Sequence, residues 1–140
     1  MKSIIVYGST TGNTEEVANY VANGLQNNFE VTIKNVTETT PEELQEYDLI
    51  VLGSSTWNEG QLQDDFIPFY EQMDNINLSG KKAAVFGCGE SIYEHFCTAV
   101  DILEKKLKDV GATVEVESYK IDGDIGPHLQ QVQEWASKIK

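Results

Sequence analysis

Apolar residues recur along the chain in short runs, and the segments between the runs have a helical repeat. The runs cover residues 4–7, 31–36, 49–52, 83–86 and 114–121. The third and fourth runs are short and continuous, which is typical of strands covered on both faces of a parallel sheet. The fifth run alternates with polar residues and indicates an edge strand. The pattern therefore predicts five strands.

Helical spacing fills most of the chain between these strands. Apolar positions lie three or four residues apart over residues 13–25, 100–107 and 129–139, with a weaker helix over 64–72 and a short one near 41–45. Strands that alternate with helices require right-handed crossovers, which place helices on both faces of a parallel sheet. The sequence predicts an α/β fold, a three-layer sandwich with a five-stranded parallel sheet, in which residues 1–140 form one domain.

Ligands of such sheets bind beyond the carboxyl ends of the strands, where the strand order reverses. Three loops leave the carboxyl ends of the predicted central strands: GSTTGNT (8–14), GSSTWNEGQLQ (53–63) and GCGESIYEHFC (87–97). We therefore expect the functional residues to lie in these three loops.

The first loop carries many hydrogen-bond donors between a strand and a helix. It has hydroxyl groups at positions 9, 10, 11 and 14, an amide at 13 and a flexible Gly12. Together with the unpaired N–H groups of a helix N-terminus, these donors suit a phosphate. The loop lacks both GxxxxGK[ST] and GxGxxG, so a monophosphate fits better than a nucleotide triphosphate or a dinucleotide. The alternative is an ordinary turn in which one or two of these residues only cap the helix.

The charge of the chain narrows the range of partners. The formal net charge is −13 at pH 7, and the basic residues are all lysine. Such a field repels nucleic acid and anionic membranes and favours basic partners, although acidity can also serve solubility alone. No apolar stretch has the length of a membrane span, and the N-terminus does not resemble a signal peptide, so we expect a cytoplasmic monomer. Cys88 and Cys97 form no metal or redox motif and are interpreted as reduced, packed thiols.

These motifs resemble those of the flavodoxins, small electron carriers that bind FMN. The resemblance rests on the SxTGNT loop together with GSSTW, LQDDFIPF, FGCGESIYEHFC, AVD and IDGD, and it extends over essentially the whole chain. It implies the strand order 2-1-3-4-5. It also implies the short-chain type of flavodoxin, with an uninterrupted fifth strand.

The resemblance also assigns the residues that bind FMN. It implies that Trp57 covers the inner face of the flavin ring and that Tyr93 stacks on the outer face, although either could simply pack on the surface. Ser55 would bind the phosphate, and Asn13 and Thr56 would lie along the ribityl chain. His95 is either an exposed loop residue or a group whose titration makes reduction pH-dependent. The full set is Ser9, Thr10, Thr11, Gly12, Asn13, Thr14, Ser55, Thr56, Trp57, Asn58, Cys88, Gly89, Glu90, Tyr93, His95, Phe96 and Cys97.

The implied function is electron transfer between redox proteins, without turnover of an organic substrate. Reduced FMN is an anion. A carboxylate about 8 Å away repels it by ~2 kcal/mol at an effective dielectric constant of about 20. Carboxylates near the ring therefore lower its potential, and they also form a docking surface for basic reductases and acceptor enzymes. The candidates are Glu59, Asp64, Asp65, Glu90 and Glu94.

Other functions of similar folds fit less well. A small FMN-dependent two-electron reductase is the main alternative, but it needs a substrate platform that this chain has few residues to build. A signalling receiver domain needs carboxylates after the first strand, where GSTTGNT has none. A phosphatase with CxxxxxR is excluded because the chain contains no arginine.

Substituting Asn58 by glycine is expected to raise the maximum population of one-electron-reduced flavin. Flavodoxins usually have glycine after the tryptophan, and the peptide there flips so that its carbonyl accepts a hydrogen bond from the protonated ring. Asparagine adopts the required positive φ at a cost of order 1 kcal/mol. An anaerobic spectral titration of Asn58→Gly measures this population, and an unchanged or lower value contradicts the prediction. In the alternative, Gly60 flips instead.

Overall fold

The computed structural model describes residues 1–8, 13–57, 61–62, 66–89, 98–114, 116–122 and 125–139. The strands are β1 (Lys2–Gly8), β2 (Glu30–Asn35), β3 (Leu49–Trp57), β4 (Gln61–Leu62), β5 (Lys82–Gly89), β6 (Thr113–Val114) and β7 (Tyr119–Asp122). The α-helices are α1 (Asn13–Leu25), α2 (Phe66–Gln72), α3 (Thr98–Asp109) and α4 (Leu129–Ser137). Short 3-10 helices cover Val36–Glu38, Pro41–Glu46, Met73–Asn75 and Gly126–His128.

The sheet has the predicted order of strand positions. Its path runs β2-β1-β3-β5-β6, and the pairs along this path are parallel. β7 also pairs in parallel with β5, so β6 and β7 share the fifth position. The α/β fold and the order 2-1-3-4-5 are thus confirmed, with β3 in the centre of the sheet.

The fifth strand is interrupted, so the prediction of a continuous strand over residues 114–121 is wrong. β6 ends at Val114 and β7 begins at Tyr119. Between them, the indole N–H of Trp135 donates to the carbonyl of Glu117 at 2.8 Å, and the Ser118 hydroxyl donates to Glu104 at 3.4 Å. One backbone group of this segment, the Glu117 carbonyl, therefore bonds to a side chain of α4.

Two further segments differ in detail from the predicted helices. Residues 41–46 form a 3-10 helix, which begins at Pro41 and is too short for a stable α-helix. α2 begins at Phe66, and residues 64–65 of the predicted helix lie outside the described residues. In the described parts of the chain, the longest helices do not combine the length and apolarity needed to cross a membrane.

Two apolar clusters cover the two faces of the sheet and confirm three layers. Alternate residues of β1 point to opposite faces, as in any strand. Ile4 and Val6 belong to the α2/α3 cluster, which also contains residues of β3 and β5 and of both helices. Ile5 and Tyr7 belong to the α1/α4 cluster on the other face. Residues near the middle of both clusters are fully buried, which explains why the central runs are continuously apolar.

Replacing Ser3 by alanine is expected to raise the free energy of unfolding by about 1 kcal/mol. Ser3 lies in β1, its side chain is fully buried, and its hydroxyl group has no hydrogen-bond partner among the described residues. A buried hydroxyl that has lost water without gaining a partner costs about 1 to 3 kcal/mol, part of which alanine recovers. Urea unfolding of Ser3→Ala measures the change, and lower stability than wild type contradicts the prediction.

Candidate functional site

The carboxyl ends of three neighbouring strands meet at one edge of the sheet. Gly8 of β1 pairs with Ser54 of β3, and Ser55 pairs with Cys88 of β5. β1 continues to β2 on one side, while β3 lies on its other side, so the strand order reverses between β1 and β3. This is the position at which open α/β sheets bind their ligands.

Helix α1 begins at this edge, close to the end of β1. Its first residue is Asn13, and its first turn carries Glu15 and Glu16. Burial, followed by the Glu15 carboxylate, raises the pKa of Tyr7, which lies next to the end of β1. With thirteen residues, α1 is long enough to present a helix N-terminus that favours an anion at this edge.

Thr14 and Cys88 connect the first turn of α1 to the end of β5. Thr14 is fully buried and Cys88 is 8% exposed. The Thr14 hydroxyl donates to Cys88 Sγ, with a distance of 3.9 Å between Oγ1 and Sγ. Burial raises the pKa of the Cys88 thiol to about 11, despite the smaller opposite effect of the Thr14 bond. This free, protonated thiol agrees with the interpretation of Cys88 as a packed residue.

Two glycines allow close packing just below the site. A Cβ atom at Gly53 would lie 2.2 Å from Cζ of Phe86, so the Phe86 ring lies directly over this position. A Cβ atom at Gly87 would lie 2.3 Å from Cγ2 of Val100 and 2.7 Å from the Ser54 carbonyl oxygen. The absence of a side chain at both positions therefore brings β3, β5 and α3 together at the carboxyl edge.

The second predicted loop begins with strand structure, which corrects one prediction. Residues 55–57 belong to β3, where Thr56 pairs with Leu62 and Trp57 with Gln61 in an antiparallel ladder. β4 and the end of β3 are thus the two arms of a hairpin. The sequence contained a signal for it, since Asn58, Glu59 and Gly60 form a short segment with glycine between two pairing runs.

The structure places part of the predicted site and does not describe the rest. Asn13 and Thr14 start α1, residues 55–57 end β3, and Cys88 and Gly89 end β5. These strand ends adjoin one another through the sheet, as predicted from the three loops. The predicted FMN-binding residues outside the described residues are Ser9, Thr10, Thr11, Gly12, Asn58, Glu90, Tyr93, His95, Phe96 and Cys97. The acidic candidates Glu59, Asp64, Asp65, Glu90 and Glu94 also lie outside them.

The lysines of the described chain avoid the carboxyl edge or are paired there. Lys34 bonds to Glu43 at 3.0 Å and Lys120 to Asp101 at 2.9 Å. The other described lysines lie at the amino ends of strands or near the carboxyl ends of helices. Both of these positions are at the opposite edge of the sheet. These lysines are Lys2, Lys81, Lys82, Lys105, Lys106, Lys108 and Lys138. The carboxyl edge therefore has no unpaired lysine among the described residues.

The residues at this edge fit FMN. The donors of the first loop are hydroxyl, amide and backbone N–H groups, which suit a phosphate. They lead into the N-terminus of α1, next to the end of β3. Trp57 is the last residue of β3, whose carboxyl end lies at this same edge. FMN combines a phosphate with an aromatic ring and needs both features.

Comparison with known proteins agrees with this geometry. The flavodoxin family profile matches residues 5–135. A flavodoxin of Maridesulfovibrio salexigens is 51% identical over 142 residues, which span 99% of this chain and 96% of the relative. The crystal structure of oxidised flavodoxin 1 from Bacillus cereus covers 100% of both chains with a TM-score of 0.87 and 37% identity. A flavodoxin of Streptococcus pneumonia TIGR4 has a TM-score of 0.92 and 31% identity, over 99% of this chain and 97% of that one. The chain therefore belongs to the flavodoxin family, in its short-chain form, and is an FMN-binding electron carrier and not an enzyme.

Proposed function

We propose that this chain carries one electron at a time, at low potential, between redox proteins with basic docking faces. In this proposal, residues 9–12, Thr14 and Ser55 hold the FMN phosphate, and Asn13 and Thr56 lie along the ribityl chain. Trp57 and Tyr93 enclose the ring. FMN supplies the redox chemistry when it is bound, and the residues of the chain bind it, orient it and exclude water from it. The cytoplasmic location and the one-domain organisation stay predictions.

The main support for this proposal is that the carboxyl ends of three strands lie at the same edge of the sheet as the start of α1. Gly8 of β1 pairs with Ser54 of β3, and the next residue of β3, Ser55, pairs with Cys88 of β5. The three predicted loops leave these strands, and in this proposal their donors and aromatic residues bind one ligand. If the phosphate binds at the start of α1, the flavin ring of the same FMN molecule lies toward the ends of β3 and β5.

The charge distribution supports the basic docking face of the partner. The net charge is −13, and the described lysines at the carboxyl edge are in ion pairs. An acidic edge that carries the redox group attracts a basic partner and orients it before contact. The contact itself is expected to be small and transient, as is usual for redox encounters.

A reductive titration of the FMN-loaded protein tests the carrier function. The apoprotein is saturated with FMN and reduced stepwise without air while its visible spectrum is recorded. Two one-electron steps are expected, in which a long-wavelength absorption band rises and then decays, with a second midpoint potential below that of free FMN. Bleaching in a single step instead supports the two-electron reductase. Failure to bind FMN overturns the proposal.

The salt dependence of electron transfer tests the docking face. Oxidation of the reduced protein by a basic cytochrome c is expected to slow steeply as ionic strength rises, because screening removes the attraction. Oxidation by the anionic acceptor ferricyanide is the matched control and should accelerate with salt. A rate with cytochrome c that does not depend on salt contradicts the acidic docking face.

A further inference from the structure

We infer that the Cys88 thiol is a positioning residue for the phosphate end of the site, because it fixes the orientation of the Thr14 hydroxyl group. The inference rests on the proposed function, in which Thr14 is one of the residues that hold the FMN phosphate. It assigns to the Cys88 side chain a role that differs from any contact of its backbone with the ring.

The geometry links two parts of the site that are far apart in the chain. Thr14 is the second residue of α1, and Cys88 lies 74 residues later near the end of β5. Cys88 belongs to the α1/α4 cluster, so its side chain is on the sheet face that α1 covers. The bond from Thr14 Oγ1 to Cys88 Sγ is buried and measures 3.9 Å. The end of β5 thereby contacts the helix turn that follows the phosphate loop.

The bond matters because threonine is branched at Cβ. Rotation about χ1 exchanges the positions of its methyl and hydroxyl groups, and near a helix start the hydroxyl can also turn toward nearby backbone groups. The Sγ atom favours the rotamer in which the hydroxyl points across the helix start toward β5. Removing the sulfur weakens this preference.

The thiol is suited to a position beside an anion. Burial raises the pKa of Cys88 to about 11, so the group is protonated and neutral at physiological pH. A neutral sulfur does not repel a phosphate at the start of α1. The S–H group can also donate weakly to Thr14 Oγ1, which frees the Thr14 O–H to donate to another acceptor. Because a hydroxyl group has one proton, Thr14 donates to a phosphate oxygen only in this second arrangement, in which Cys88 is the donor to Oγ1.

A comparison of FMN with riboflavin, which lacks the phosphate, tests the inference. Valine at position 88 keeps an apolar side chain of similar size but removes the hydrogen bond. We expect Cys88→Val to bind FMN about threefold to tenfold more weakly than wild type, the usual value of one hydrogen bond. Its affinity for riboflavin should stay within about twofold of wild type. Cys88→Ser, which keeps a donor and acceptor, should recover part of the FMN affinity.

A double-mutant cycle tests whether Cys88 acts through Thr14. In a Thr14→Val background, Cys88→Val should weaken FMN binding no further, because the hydroxyl that it orients is gone. The apoprotein provides a readout without flavin, since the χ1 couplings of Thr14 in NMR spectra should change in Cys88→Val. Val85→Ala is the matched control, because Val85 is buried in the same strand but belongs to the α2/α3 cluster. It should leave both the Thr14 couplings and the ratio of FMN to riboflavin affinity unchanged.

The possible outcomes separate this inference from the proposed function. Equal loss of FMN and riboflavin affinity in Cys88→Val, or no loss of either, overturns the positioning role while the proposed function stands. Additive effects of the Thr14 and Cys88 substitutions also overturn it. A wild-type protein that binds no FMN overturns the proposed function, and this inference with it.

Discussion

Alanine at Gly87 is expected to lower the free energy of unfolding by about 2 to 3 kcal/mol, at the upper end of the cost of adding a methyl group to a packed core. Its Cβ would lie 2.3 Å from Cγ2 of Val100 and 2.7 Å from the carbonyl oxygen of Ser54. Val100 is fully buried in α3, and the Ser54 oxygen belongs to the backbone of the neighbouring strand. Neither can move without shifting α3 or separating β3 from β5. Urea unfolding of the apoprotein measures the loss.

The two contacts can be separated by a second substitution. Val100→Ala removes the contact of the added methyl group with α3 but leaves the one with Ser54. In a Val100→Ala background, Gly87→Ala should therefore cost less stability than in the wild type, but it should still cost some. Gly80→Ala is the control, because its φ is +83° and, apart from its chain neighbours, no described residue has an atom within 4 Å of the added Cβ. It should cost only the backbone penalty of about 1 kcal/mol. A Gly87→Ala variant that is no less stable than Gly80→Ala contradicts the close packing at this edge.

The parallel sheet could be predicted from the sequence because burial on both faces leaves a local signal, whereas the strand order came from the family resemblance. Residues 50–52 and 83–86 are apolar without alternation, since successive residues enter opposite clusters and neither face meets water. The helical repeat between the strands then requires parallel crossovers. Both signals depend only on neighbouring residues, so they are visible in a single chain.

The interruption of the fifth strand could not be predicted from the local pattern, and residues 117 and 118 bond to segments that are distant in the sequence. Residues 114–121 alternate as an edge strand should, but the Glu117 carbonyl accepts from Trp135 of α4 and Ser118 donates to Glu104 of α3. Edge strands are paired on one side only, so side chains of neighbouring helices can compete for their backbone groups. No pattern within residues 114–121 records this competition.

Only part of the candidate site could be predicted, because contacts between distant segments leave no local pattern in the sequence. The donors of the first loop and the strand ends follow from local sequence, and the structure brings the ends of β1, β3 and β5 together. The bond between Thr14 and Cys88 and the clearance that Gly87 gives to Val100 join segments that meet only in the folded chain. The hairpin of β3 and β4 could have been predicted, because the turn-forming residues Asn58 and Gly60 lie between two short runs.

Raising the pH from 9 to 11 is expected to destabilise the apoprotein by about 2 to 3 kcal/mol through Cys88 alone. Burial raises the pKa of this thiol from 9.0 to about 11 in the folded chain. Between these values the unfolded chain has lost the proton while the folded chain still binds it, so each pH unit costs about 1.36 kcal/mol of stability. The contribution is fully present below pH 9 and is lost as the pH rises through 11.

A difference between two proteins isolates this effect, because other groups also titrate in the alkaline range. Burial raises the pKa of Tyr7 and Tyr119, and ion pairs raise those of Lys34 and Lys106, so the wild type loses stability from several groups. Cys88→Val retains all of these but cannot ionise at position 88. Its urea unfolding free energy should therefore fall less steeply with pH than that of the wild type, by about 2 to 3 kcal/mol over this interval. Parallel pH profiles would mean that the thiol ionises as readily in the folded chain as in the unfolded one. That result would contradict the claim that burial keeps the sulfur beside Thr14 neutral.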